Sequence, residues 1–116
     1  MKEIPLTKGM VTIVDDADYL WLIKYKWHIK AAKYDNYAQC WAKGAGRENL
    51  MHRMIMQPND GQVVHHKNSW PILHPTEPLP AGCCNTLNNL RENLEVCTQK
   101  QNLLWGANYG KKQTVY

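Results

Sequence analysis

The sequence predicts an α+β fold: a small N-terminal antiparallel sheet with one short helix, then a strand, a long loop, a strand and a helix. Three observations carry this. Short runs rich in β-branched and aromatic residues fall at 10–14, 27–31, 37–42, 62–66 and 94–98. Turn-forming clusters (KYDN, KGAGR, PNDG) separate several of them. At 116 residues and 44% apolar composition, the chain can bury one small core.

The elements follow in order. MVTIV is the first strand, and Asp15 after it is placed to cap a helix over DADYLWLIK, with Asp18 in the first turn. Trp27–Ala31 and Tyr37–Ala42 form a hairpin around KYDN, and Asn49–His52 is a candidate third strand beyond KGAGR. MHRMIM at 51–56 can also turn helical, stopped by Pro58, Asn59, Asp60 and Gly61. QVVHH and LEVCT are the two strands of the second half. Thr98 with Gln101 fits a capping box, so a helix is expected from Thr98 to about Gly106. Between those strands, residues 70–84 hold four of the six prolines and read as an extended surface insertion outside the core. The expected organisation is residues 1–57, residues 58–107 with the insertion at 70–84, and a flexible tail at 108–116.

Charge is uneven. The net charge is +4, but residues 24–53 carry seven basic and two acidic side chains, with Trp27, Tyr34, Tyr37 and Trp41 interleaved. The tail from residue 98 adds three lysines and no acid. Such a surface suits a phosphate backbone, although a solvated face would carry the same charges. No apolar run approaches the length of a membrane span, and MKEIPLTKG lacks a secretory core. The four cysteines therefore read as reduced thiols in a cytoplasmic protein.

The informative segments are V-H-H-K-N at 64–68 and N-x-x-x-N-L-E-V-x-T-x-x-Q-N at 89–102. Together they resemble the HNH endonucleases of phages and mobile introns, whose ββα-metal motif holds one divalent ion between a hairpin and a helix. Without residues 70–84, the interval from His66 to Asn93 falls from 27 to 12 residues, the compact family spacing. EIPLTKGMVTIVDDADYLWLIKYKWHI and LMHRMIM resemble the N-terminal half of such proteins, so the likeness spans about residues 3–105.

The resemblance implies a metal-dependent hydrolase that nicks double-stranded DNA, encoded by a bacterium or phage and acting as a monomer. It implies His66 as general base, with Asn93 holding the loop geometry and orienting it. It implies His65 and Asn102 as ligands of one divalent ion, Mg²⁺ or Mn²⁺, and no small-molecule cofactor. His65 stands where relatives carry Asp or His, and loss of the carboxylate makes Zn²⁺ or Ni²⁺ acceptable as well. Leu90 stands where relatives often carry Arg. Lys30, Lys33, Lys43, Arg47, Arg53, Lys67 and Lys100 are the expected DNA contacts, and His52 is expected to pack beneath the fold. Two other readings are an inactive DNA-binding module on this scaffold and a small zinc-bound interaction domain using His74, Cys83, Cys84 and Cys97.

Overall fold

A computed structural model describes residues 1–32, 35–40 and 49–98, which form three two-stranded antiparallel sheets and three short α-helices. The class is α+β. Strand β1 (Lys2–Pro5) pairs with β2 (Val11–Val14) in the register Lys2↔Val14 to Pro5↔Val11. Sequence reading misses β1 because only Ile4 of KEIP faces the core, and Pro5 falls at the strand end, where it is tolerated.

Helix α1 (Asp16–Leu22) starts after Asp15 as expected but stops two residues short of Lys24. Asp15 occupies the cap position without a side-chain cap bond. Its Oδ2 instead accepts from the Arg91 backbone N–H at 3.0 Å. Asp18 is 2% exposed and accepts from Arg91 Nε at 2.9 Å and Nη2 at 2.8 Å. These charge-assisted bonds hold the Asp18 carboxyl below its ordinary pKa, against the opposing effect of burial.

Strands β3 (Trp27–Ala31) and β4 (Asn36–Cys40) pair from Trp27↔Cys40 to Ala31↔Asn36. Trp41, Ala42 and the KGAGR turn fall outside the described residues. The expected third strand at Asn49–His52 is corrected: a single bridge, Gln39↔Leu50, remains of it. Met51 and His52 instead open helix α2 (Met51–Met56), whose Met51, His52 and Ile55 face inward. Gln57 ends α2 in the left-handed region at φ 48°.

Strands β5 (Gln62–His66) and β6 (Leu94–Thr98) pair from Gln62↔Thr98 to His66↔Leu94. Helix α2 packs against β4, β5 and β6, so the N-terminal and C-terminal halves close over one set of apolar residues. That core holds Ile4, Val14, Leu22, Trp27, Ala38, Cys40, Met51, Ile55, Val64, Leu87 and Leu94. The helix expected after Thr98 lies outside the described residues.

Residues 70–84 correct the sequence reading. Trp70–Leu73 forms a one-turn helix, α3, with Pro71 in its first turn, where the missing N–H costs nothing. Trp70 is buried in a second cluster with Ile13 and Leu90, joined by Leu79 and Cys83. Its indole N–H donates to the Glu77 carbonyl at 2.7 Å. Farther on, the Val11 N–H donates to the Gly82 carbonyl at 3.0 Å. At Gly82, φ is +82° and a Cβ would sit 2.8 Å from the Gly9 carbonyl oxygen, so backbone approach there requires glycine. The segment is thus fastened to β2 at both ends, while Ile72 and Leu73 project outward.

Candidate active site

The His pair ends β5, and successive strand residues face opposite ways. His66 turns toward the N-terminal half. Its ring lies 4.7 Å from that of His52 on α2 and 6.0 Å from that of Tyr37 on β4, centroid to centroid. His66 Nε2 is 3.0 Å from Asn89 Oδ1. The neighbouring bonds assign the proton. Thr12 Oγ1 donates to the Leu87 carbonyl at 2.8 Å, and Asn89 Nδ2 donates to Thr12 Oγ1 at 2.9 Å. Asn89 Oδ1 is therefore the acceptor, His66 Nε2 carries the hydrogen, and Nδ1 keeps its lone pair. Among the described residues Nδ1 has no hydrogen-bond partner. Burial pushes the His66 pKa down to about 4, opposed by the Asn89 bond and assisted by the charge of His65.

His65 takes the other face and pairs across the ladder with Glu95. It too is buried, and desolvation lowers its pKa, with Glu95 pulling up and Lys67 pushing down. Both rings are thus neutral at pH 7, the form in which imidazole accepts a proton or binds a metal.

Asn93 sits one residue before β6 and is fully buried. Its Oδ1 accepts from the Ser69 N–H at 2.8 Å and from Ser69 Oγ at 2.9 Å. Its Nδ2 donates to the Asn88 carbonyl and to Asn85 Oδ1, both at 3.0 Å. The Lys67 N–H donates to the Asn93 carbonyl at 2.8 Å, closing the hairpin one step beyond His66. One residue therefore ties together the segment leaving β5, the turn at 85–88 and the entry to β6. Its contact with His66 is indirect: Asn85 Nδ2, beside Asn93, reaches the His66 carbonyl at 3.4 Å.

The other expected site residues divide. Lys67 is exposed immediately after the His pair, and Lys30 is partly exposed on β3. Arg53 lies on α2, where its Nη1 donates to the Gln62 carbonyl at 3.4 Å. Asn102, Lys33, Lys43, Arg47 and Lys100 fall outside the described residues, so the meeting of His65 with Asn102 does too. His52 is buried between Tyr37 and His66.

Among the described residues no three His, Cys, Asp or Glu side chains gather as a metal cage. His74 instead stacks on Trp70 at 3.9 Å and meets Glu92 Oε2 at 3.1 Å. Burial, then the neighbouring Cys84, pushes the Cys83 thiol up to about 12, which disfavours the thiolate that zinc requires.

Sequence reading gives no role to Thr12 or to Asn89, the first residue of the 89–102 motif, yet they fix the His66 tautomer from 54 and 23 positions away in sequence. The signal for Asn89 is a carboxamide in the loop between the two strands, suited to satisfying buried polar groups. No helix among the described residues is long and apolar enough to cross a membrane. Compared with known proteins, the chain matches no family model, no curated protein and no solved structure.

Proposed function

We propose that this chain is a metal-dependent endonuclease of the HNH type, nicking double-stranded DNA. The observation that carries the reading is the hairpin β5–β6: a His pair ends one strand, and a buried asparagine staples the intervening loop at the start of the next. His66 is the general base, with a tautomer fixed by Asn89 that leaves Nδ1 able to take the proton of the attacking water. His65 and Asn102 would hold one divalent ion, which when bound would stabilise charge at the scissile phosphate. This donor set is neutral, without a carboxylate, and so favours Mn²⁺, Zn²⁺ or Ni²⁺ over Mg²⁺. Lys67, next to the pair, supplies positive charge for the phosphate backbone.

One observation favours a second reading, an inactive DNA-binding module: His66 is only 5% exposed, packed among His52, Tyr37 and Asn89. On that reading the same hydrogen bonds make His66 a core residue. A plasmid-nicking assay with Mg²⁺ or Mn²⁺, and EDTA as control, separates the two. The nuclease reading expects metal-dependent nicking that falls by about 10²–10⁴-fold in His66→Ala. DNA binding without nicking in any metal supports the module, and nicking by His66→Ala at the wild-type rate removes His66 from the mechanism.

A further inference from the structure

A groove of about 490 Å³ opens between the end of α1 and the end of α2, lined by Trp21, Tyr25, Arg53, Met54, Gln57 and Pro58. Its volume falls within the range of about 300–1,000 Å³ usual for small-ligand sites. Two aromatic side chains, one cation and no acid form its lining. The Trp21 indole is held by a bond from Nε1 to Asp18 Oδ1 at 3.1 Å, and Asp18 is in turn gripped by Arg91, so the ring is a fixed platform. Tyr25 is 39% exposed, between the exposed Lys24 and Lys26. Arg53 is oriented by its bond to the Gln62 carbonyl.

We infer that this groove binds one unpaired nucleotide of a DNA strand, its base stacked against Tyr25 and Trp21 and its phosphate on Arg53. The inference rests on the DNA reading for its partner but adds the strand class. A base within a duplex presents only its edges, so it must leave the stack to lie on an aromatic face. Stacking on aromatic rings tolerates any base, and a neighbouring guanidinium meets the phosphate. Charge decides against a proline-rich peptide, the other natural occupant of an aromatic groove. Tyr25 stands between the exposed Lys24 and Lys26, and of the groove's lining residues Arg53 is basic and none is acidic.

The test is binding of a short fluorescent oligothymidylate to the full chain in EDTA, read by anisotropy and by Trp fluorescence. Tyr25→Ala and Arg53→Gln should each weaken binding by about tenfold, the usual scale for one stacked base. Tyr25→Phe, which keeps the ring, should bind as wild type. Unchanged affinity in Tyr25→Ala and Arg53→Gln overturns the proposal, as does a wild-type chain that binds a proline-rich peptide but no oligothymidylate. Plasmid nicking with metal, measured in parallel, reports on the nuclease reading separately. A chain that nicks plasmid but ignores the oligonucleotide overturns the groove alone.

Discussion

The two halves of the loop between β5 and β6 treat side chains in opposite ways. In residues 85–93 three carboxamides go inside: Asn88, Asn89 and Asn93 are all fully buried, while Arg91 and Glu92 stay exposed. In residues 70–84 two large apolar side chains stay outside, Ile72 at 79% and Leu73 at 52% exposure. Hydrophobicity alone would place them the other way round. The difference lies in backbone accounting. A loop folded into the interior has no ladder to pair its N–H and C=O groups, and each one left unmet costs stability. A carboxamide offers two donors and an acceptor in a small volume, so asparagine can serve several such groups at once. The proline-rich half runs along the surface, pairs part of its backbone in local turns, and is anchored by Trp70 to Ile13 and Leu90.

The largest effect should come from Asn93→Ala. It strands Ser69, Asn85 and Asn88 groups in the interior and should cost about 4 kcal/mol in urea unfolding. Trp70→Ala should follow at about 3 kcal/mol, and deleting residues 70–84 should cost at least as much, because the Val11–Gly82 bond is lost as well. Losses under about 1 kcal/mol for both single substitutions would break the contrast between a stapled half and an anchored half.

Acid should reveal the burial of a neutral His66. The folded-state pKa of about 4 lies below the ordinary value of 6.5, so between them the unfolded chain binds more protons. Stability is therefore full above about pH 6.5 and declines as pH falls toward 4, by about 3 kcal/mol in total. His66→Gln should flatten much of that decline in the urea midpoint, leaving a shallower one from His65, whose pKa is also lowered. An acid limb unchanged in His66→Gln would mean that His66 is not the group being titrated. The smallest effect belongs to Ile72→Ser, within about 0.5 kcal/mol, since Ile72 is largely solvated already. A larger loss would place Ile72 in a contact that its exposure does not suggest.

What could be read from the sequence was local. The strands at 11–14, 27–31, 62–66 and 94–98 announce themselves through β-branched runs bounded by turn residues, and the structure places strands at each. The bond partners were not local. β1 exists because Val11–Val14 offers it an edge, and KEIP alone carries almost no strand signal. Asn49–His52 has strand-like neighbours, but α2 claims Met51 and His52 because their inward face meets β4 and β5. Four prolines argue against a place for residues 70–84 in the core. They restrict only backbone geometry, however, and one tryptophan among them still reaches the interior. The two histidines and Asn93 stood out by spacing, whereas the depth of His66 and its link to Asn89 and Thr12 depend on how the two halves meet.

The fork of Arg91 onto Asp18 joins residues 73 positions apart, one on α1 and one in the turn entering β6. Asn89 adds a second tie, its N–H donating to the Ile13 carbonyl at 2.9 Å. Two such fastenings make the hairpin pair a single cooperative unit instead of two that breathe independently. Amide hydrogens in β2 and β5 should then exchange at one common free energy, that of the whole molecule opening.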